Sequence, residues 1–395
     1  MTPSAHSEAG GRCPRFVFCA GLTGSTPYLD TTETIAFSVV ECMKCRIAQV
    51  DDLQLLNAEI SGSFTSLKNY AERLAFSFRR LGQEKRSARV HFCATDLAFG
   101  HSEGKYKLHE ANFCRERLCP MCAARRARKA FSQVYQICDH LRKDGVRFLF
   151  LTLTVVNCEG EKLSETIDNM QKAFHKFVNY KRFKDSILGF FRALEITRNN
   201  RKRSKSYGTF HPHFHCVLAV PENYFTSDKY IKQEEFLKMW RKACKDDRIS
   251  QVNVKTVKDY AAKDGVDNLA RACAEVAKYT LKSKDYLFRD DDALTDEVVG
   301  LLSSALRGRR LTAFGGCFAV VRDILALDDI EDGDLVHTEA DAKTADAVEM
   351  RRYKWQNGTK SYLLMSDRLE VRLDGVGWIA ADFVDDDSGG GELYG

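Results

Sequence analysis

The chain has 395 residues, of which 44% are apolar and 29% are charged, with only 6 Pro. This length and balance exclude a disordered protein and a disulfide-stapled miniprotein. No run approaches the ~18 consecutive apolar residues of a membrane-spanning helix, and the N-terminus lacks the pattern of a secretory signal. The sequence therefore predicts a soluble protein with no membrane partner, and the cytosol as its compartment.

The net charge of +5 hides two regions of opposite sign. Residues 1–287 carry 48 Lys and Arg against 32 Asp and Glu, whereas residues 288–395 carry 12 against 23. Segregated positive charge favours binding of nucleic acid through release of its counterions. A solvated basic surface without a partner has the same composition, so charge alone leaves both interpretations open.

Residues 1–50 look like a loosely ordered extension. They hold Cys13, Cys19, Cys42 and Cys45, which form a second candidate metal site. The loop-like flanks of these cysteines make that interpretation the less favoured one.

Residues 51–88 carry apolar side chains at helical spacing, interrupted at Ser61–Ser63, and predict a helical pair. A cysteine cluster with the spacing C-x20-C-x4-C-x2-C follows, formed by Cys93, Cys114, Cys119 and Cys122. The cytosol keeps thiols reduced, and four thiolates close a tetrahedron around a structural zinc ion with no position open for catalysis. The alternative is that some of these residues are ordinary buried cysteines.

The rest of the basic region alternates helices and strands. Helices are predicted over 123–141, 163–180, 233–245 and 268–282, and strands over 147–156, 187–198, 208–220 and 251–257. This order predicts an α+β fold in which helices cover a central antiparallel sheet.

Two basic segments of this region are the predicted DNA contacts. One lies early in the helix over 123–141, and the other is the tip of the hairpin over 187–220. Together they supply Arg125, Arg126, Arg128, Arg201, Lys202, Arg203 and Lys205.

The second strand of the hairpin carries His211-Pro-His-Phe-His215. Side chains alternate along a strand, so His213 and His215 point to the same face. Glu195 lies on the preceding strand and is the candidate third ligand. Two imidazoles and a carboxylate leave positions open on a divalent cation, which then polarises a phosphoryl oxygen. The alternative is a pair of polar core histidines.

The helix predicted over 268–282 carries Glu275, Tyr279 and Lys282. Glu275 and Tyr279 are four residues apart and share a helical face. A phenol has a pKa of about 10 and is a poor nucleophile at neutral pH. It becomes a nucleophile when a cation, here Lys282 or the metal, stabilises its oxyanion. Glu275 is placed to take a proton from water. The alternative is an ordinary amphipathic helix.

Three motifs occur in a fixed order: Phe150-Leu-Thr-Leu-Thr154, His211-Pro-His-Phe-His215 and Tyr279-x-x-Lys282. Together they resemble the rolling-circle replication initiators of small bacterial plasmids, within the HUH endonuclease superfamily. The cysteine segment ending at Cys122 and the segment from Leu306 to Gly316 are similar to the upstream and downstream segments of those initiators. The resemblance covers about residues 90–335.

The resemblance implies an HUH endonuclease fold with an upstream zinc module and a C-terminal α/β extension. It implies that Tyr279 nicks one strand of a double-strand origin, holds the 5′ end covalently and frees a 3′ hydroxyl. Glu275 would serve hydrolysis at termination, and His213 and His215 would bind Mg²⁺ or Mn²⁺, with Glu195 our choice of third ligand. The implied partners are single- and double-stranded origin DNA, a host helicase and a polymerase. A homodimer is a candidate assembly.

This interpretation divides the chain into five parts. They are an extension (1–50), a helical and zinc-binding module (51–126), a nicking domain (127–287), an acidic accessory domain (288–384) and a tail (385–395).

Three other functions use the same residues differently. A single-tyrosine transposase or relaxase shares the histidine pair and the tyrosine, although the cysteine cluster and Glu275 favour an initiator. A non-catalytic zinc-dependent DNA-binding protein would use the histidines as a second structural site. A nuclease that activates a metal-bound water would need no tyrosine.

Overall fold

The computed structural model describes residues 54–102, 105–257, 267–277, 281–338, 349–365, 369–373 and 377–381. Its helices are α1 (Thr65–Arg80), α2 (Glu84–His91), α3 (Pro120–Arg142), α4 (Leu163–Val178), α5 (Lys181–Ser186), α6 (Gln233–Cys244), α7 (Asn268–Val276), α8 (Asp292–Leu306) and α9 (Cys317–Ile324). Within the described ranges, none of these helices has both the length and the apolar character needed to cross a lipid bilayer.

The strands form two antiparallel sheets. Their bounds are β1 (Asp96–Ser102), β2 (Lys105–Ala111), β3 (Arg147–Thr154), β4 (Gly189–Arg198), β5 (Phe210–Val220), β6 (Val252–Val257), β7 (Thr312–Gly316), β8 (Glu349–Gln356), β9 (Ser361–Leu364), β10 (Leu369–Leu373) and β11 (Gly377–Ala381). One sheet has the order β6-β3-β5-β4-β7, and the other has the order β11-β10-β8-β1-β2 with β9 paired to β8. The predicted α+β class, with antiparallel strands flanked by helices, is confirmed.

Alternation along the strands gives the five-stranded sheet two different faces. Phe214 and Leu218 of β5 pack with the apolar residues of α4 and α6. Val217 and Ala219 of the same strand pack with α3 and α7. Odd-numbered residues of β5 therefore face α7, and the two clustered histidines belong to this set.

The edge strand β7 approaches β4 closely at a glycine pair. Gly316 has a φ of 58°, and a Cβ at this position would lie 2.3 Å from the carbonyl oxygen of Leu188. A side chain is excluded by both the backbone conformation and the contact. Glycine at this position thus lets β7 pair with β4, which carries Glu195.

The helical pair predicted over 51–88 exists, but its turn lies elsewhere. Ser61–Ser63 belong to a π-helical turn, Ile60–Phe64, and the Ser61 hydroxyl donates to the carbonyl oxygen of Asn57 at 2.8 Å. The two helices separate at Gly82, whose φ is 69°. A serine whose hydroxyl donates to a carbonyl oxygen of the preceding turn is compatible with a helix. The helical path therefore continues through Ser61–Ser63, where an interruption was predicted.

Residues 288–384 supply strands to both sheets. β7 pairs with β4 in the five-stranded sheet, and β8 pairs with β1 in the other. Strands of the predicted acidic accessory domain thus pair with strands of both upstream parts. Residues 1–50, with Cys13, Cys19, Cys42 and Cys45, and the tail 385–395 lie outside the described residues.

Candidate metal centre

Glu195 and two histidines converge on the α7 face of the five-stranded sheet. Glu195 of β4 lies directly across from His213 of β5, and His215 follows two residues along the same strand. His213 Nε2 lies 3.1 Å from Glu195 Oε2, and His215 Nε2 lies 2.7 Å from the same oxygen. One ligand atom from each side chain lies within 4.8 Å of the other two.

The electrostatics of this group favour an ionised carboxylate. Glu195 is 5% exposed, His213 8% and His215 7%. Burial alone raises the pKa of Glu195, but the hydrogen bonds from both imidazoles outweigh it and hold that pKa well below its ordinary value. Glu195 therefore presents a negative oxygen between two ring nitrogens at neutral pH.

The outer nitrogens of both rings also have partners. His213 Nδ1 lies 3.1 Å from the carbonyl oxygen of His211, and His215 Nδ1 lies 3.4 Å from the hydroxyl of Thr152. Such partners orient the rings so that both Nε2 atoms face Glu195. Thr152 was not among the predicted site residues, although it lies directly across from His215 in the sheet and shares its face with Thr154.

This donor set fits a divalent cation. Two imidazole nitrogens and one carboxylate oxygen suit a transition metal or Mn²⁺ and leave coordination positions open. His211, the other histidine of the motif, is instead hydrogen-bonded through Nδ1 to Asn157 Oδ1 at 2.8 Å. The residues that could hold a divalent cation are thus Glu195, His213 and His215.

Lys282 approaches the same carboxylate from an extended segment. Its Nζ lies 3.6 Å from Glu195 Oε1. The helix predicted over 268–282 ends at Val276, and Lys282 has extended backbone, with φ −82° and ψ 129°. The predicted helix was too long. Helical periodicity is a local pattern and carries no information about the ion pair between Lys282 and Glu195, which lies on a distant strand.

Tyr279 lies outside the described residues. It is three residues from Lys282, a distance of no more than roughly 11 Å along a fully extended chain. Glu275 is half-buried on α7, which packs on the sheet face that carries His213 and His215. Glu275 therefore lies on the helix that covers the sheet face of the candidate metal ligands, and the placement of Tyr279 at this site stays a prediction.

The four predicted zinc ligands also come together. Cys93 Sγ lies 3.6 Å from the sulfurs of Cys119 and Cys122, and Cys114 Sγ lies 3.7 Å from that of Cys122. Four sulfurs bound at about 2.3 Å in a tetrahedron are separated by roughly 3.8 Å. The cluster therefore fits a zinc ion.

Backbone groups support this cluster. Arg115, with φ 60°, directs its N–H to Cys122 Sγ at 3.2 Å, and the N–H of Glu116 donates to Cys114 Sγ at 3.4 Å. Hydrogen bonds from Cys119 and the other thiols lower the pKa of Cys114, so a thiolate is favoured. The Tyr286 hydroxyl donates to the carbonyl oxygen of Leu118 at 2.6 Å, which joins the cluster to the segment that follows Lys282.

Cys119→Ser is expected to remove bound zinc and to lower the melting temperature by roughly 5–10 °C, because a structural metal contributes directly to folding free energy. Cys158→Ser, which changes a half-buried cysteine outside the cluster, is the matched control. Zinc content by atomic emission and melting by differential scanning fluorimetry check the prediction. One zinc per chain in both variants would contradict a ligand role for Cys119.

Arg125 and Arg126 of α3 direct their guanidinium groups to protein acceptors. Arg125 is 6% exposed and donates to the carbonyl oxygens of Leu335 and Val336 at 2.8 and 2.6 Å. Arg126 donates to the carbonyl oxygen of Glu331 at 3.1 Å. The prediction that Arg125 contacts DNA does not agree with this burial, because its donors are directed to protein acceptors.

The remaining predicted DNA contacts are more accessible. Arg128 is ion-paired with Glu59 at 3.2 Å near the surface. The hairpin tip exposes the other four basic side chains, Arg201, Lys202, Arg203 and Lys205. The tip is therefore the better candidate for contact with a phosphate backbone.

Comparisons with known proteins agree on one family. The family model described as "Replication protein" matches residues 105–363. Protein rep of Bacillus amyloliquefaciens is 39% identical over 298 residues, which cover 71% of this chain and 85% of the relative. Protein rep of Lactiplantibacillus plantarum is 36% identical over 302 residues, covering 75% and 92% respectively. No solved structure matches the chain.

Proposed function

The chain belongs to the Replication protein family, and we propose that it starts plasmid rolling-circle replication by nicking one strand of a double-strand origin. The main support for the proposal is the environment of the Glu195 carboxylate. It is hydrogen-bonded to both imidazoles and lies 3.6 Å from Nζ of Lys282, and Lys282 follows Tyr279 by three residues. These groups can position a phosphate, neutralise its charge and provide a nucleophile.

In the proposed reaction, the Tyr279 phenolic oxygen attacks the scissile phosphorus and the bond to the 3′ oxygen breaks. The phenol loses its proton to water, and the departing 3′ oxygen takes one from water. The Lys282 ammonium stabilises the phenolate, and a cation held by Glu195, His213 and His215 would supply charge neutralisation at the phosphoryl oxygens. The products are a 5′-phosphotyrosine and a 3′ hydroxyl that can prime synthesis by a host polymerase.

Incubating the protein with Mn²⁺ and a single-stranded oligonucleotide that spans the nick site tests this reaction. We expect one covalent adduct on a denaturing gel, and peptide mass spectrometry should locate the DNA on Tyr279. Cleavage without an adduct would instead favour a nuclease that uses metal-bound water. Binding without any cleavage would favour a non-catalytic DNA-binding protein.

Glu275→Ala is expected to nick at near the normal rate but to hydrolyse the adduct roughly 10²-fold more slowly, because the variant lacks the base that activates water. Adduct decay after a chase with unlabelled DNA measures this rate. Glu165→Ala, an exposed glutamate of α4 on the opposite face of the sheet, is the matched control. Normal decay in Glu275→Ala would remove this role.

A further inference from the structure

A groove of about 1250 Å³ is lined by residues that are close in the chain to the candidate site. Its walls are α1 with the preceding π-helical turn, the arm that joins β4 to β5, and the segment from Lys284 to Leu294. Among the described residues that line it, the basic side chains outnumber the acidic ones by six to three. The six are Arg73, Arg198, Lys202, Lys284, Arg289 and Lys360.

Aromatic rings stand between these cations. Phe76 of α1 is 51% exposed, and Tyr207 at the base of the hairpin tip is 40% exposed. Tyr70 and Phe288 also line the groove and are half-buried. Exposed rings interleaved with positive charge are the pattern by which proteins bind single-stranded nucleic acid, because every unpaired base offers a stacking face.

Arg198 holds two of the rings in a fixed arrangement. Its guanidinium lies 5.5 Å from the ring centroid of Tyr207 and 5.4 Å from that of Phe288. Nη1 donates to Asn200 Oδ1 at 2.5 Å, while Nε is buried and has no hydrogen-bond partner among the described residues. The aromatic surface is thus pre-organised by a cation, which reduces the entropy lost when a base stacks on it.

The groove lining comes close along the chain to the residues of the candidate site. Lys284 lines it, and Lys282, two residues earlier, lies at Glu195. Ser283–Asp285 form a single 3₁₀ turn, so the Cα atoms of Lys282 and Lys284 are no more than roughly 7 Å apart. This short link places the groove within reach of a strand that leaves the metal site.

We propose that this groove binds the single strand that continues from the scissile phosphate. Bases stack on Tyr207 and Phe76, and Lys284 and Arg289 neutralise phosphates. The proposal rests on the proposed function, which places the scissile phosphate at Glu195. A duplex keeps its bases paired and presents only phosphates to the rings, so the aromatic lining favours an unpaired strand.

Fluorescence anisotropy with a labelled oligonucleotide of about 25 nucleotides measures binding to the groove. Every variant also carries Tyr279→Phe, so that no strand is cleaved during the measurement. Tyr207→Ala is expected to weaken binding of the single strand by about 5- to 50-fold, because stacking on the ring is lost. Tyr207→Phe keeps the ring and should bind within about twofold of the parent. The control is Tyr230→Ala, a tyrosine 42% exposed and absent from the groove lining.

The duplex of the same sequence completes the test, and we expect Tyr207→Ala to leave its affinity unchanged. Equal losses for duplex and single strand would overturn base stacking. Unchanged single-strand affinity in Tyr207→Ala, with its melting temperature unaltered, would overturn the groove as the path of the strand. Adduct formation is measured separately, with Tyr279 intact and at saturating oligonucleotide. A loss of groove binding therefore does not contradict nicking, and an absence of nicking does not contradict groove binding.

Discussion

Tyr279→Phe is expected to abolish the covalent DNA adduct, with nicking reduced by more than about 10³-fold. The substitution removes only the hydroxyl oxygen, so the ring and the neighbouring Lys282 remain. Affinity for single-stranded DNA should therefore stay within about twofold of that of the unmodified protein. Time courses with Mn²⁺ and a labelled oligonucleotide, resolved on denaturing gels, measure both adduct and cleaved strand.

Tyr286→Phe is the matched control for this experiment. It removes a buried hydroxyl that donates to Leu118, so we expect a loss of about 1 kcal/mol in stability and normal adduct formation. An adduct that persists in Tyr279→Phe would assign the nucleophile to another residue. Strand cleavage at an unchanged rate without any adduct would identify water as the nucleophile.

His213→Ala is expected to reduce nicking by more than about 10²-fold and to raise the Mn²⁺ concentration needed for half-maximal rate. The change removes one of the two imidazoles that face Glu195. It also leaves a buried carboxylate with one hydrogen bond fewer, at a cost of about 1–3 kcal/mol. Initial rates across a Mn²⁺ titration, with melting temperatures beside them, separate the two effects.

Two further variants sharpen the test of the metal centre. His213→Gln can still donate a hydrogen bond to Glu195, so it should recover stability without recovering the rate. His211→Ala removes the imidazole bonded to Asn157 and should retain most of the rate. Full nicking by His213→Gln at unchanged Mn²⁺ dependence would instead support a pair of polar core histidines.

The candidate metal group was predictable because its geometry follows from local rules. Alternation puts His213 and His215 on one face of a strand, and antiparallel pairing with the preceding strand made Glu195 a candidate third ligand. The register that sets Glu195 opposite His213 depends on the length of the hairpin tip and comes from the structure. The cysteine cluster was predictable for a similar reason, since its ligand spacing is that of a closed zinc site. Neither inference needed knowledge of the rest of the fold.

Features that depend on distant partners could not be obtained in this way. Lys282 has extended backbone, and its ammonium contacts Glu195, a residue far upstream. Arg125 looks like part of a basic surface, yet its acceptors, Leu335 and Val336, come about two hundred residues later. The groove has walls from three separate parts of the chain, so no window of sequence contains its pattern.

The pairing of late strands with early ones affects how the chain emerges from the ribosome. β7 is an edge strand of the sheet that carries the candidate metal ligands, and β8 pairs with β1 of the β1–β2 hairpin. Both strands follow Tyr279 in the sequence. An unfinished or prematurely terminated polypeptide can thus contain every side chain proposed for catalysis without either complete sheet. We expect such fragments to be inert, which would protect the template from breaks made by incomplete translation products.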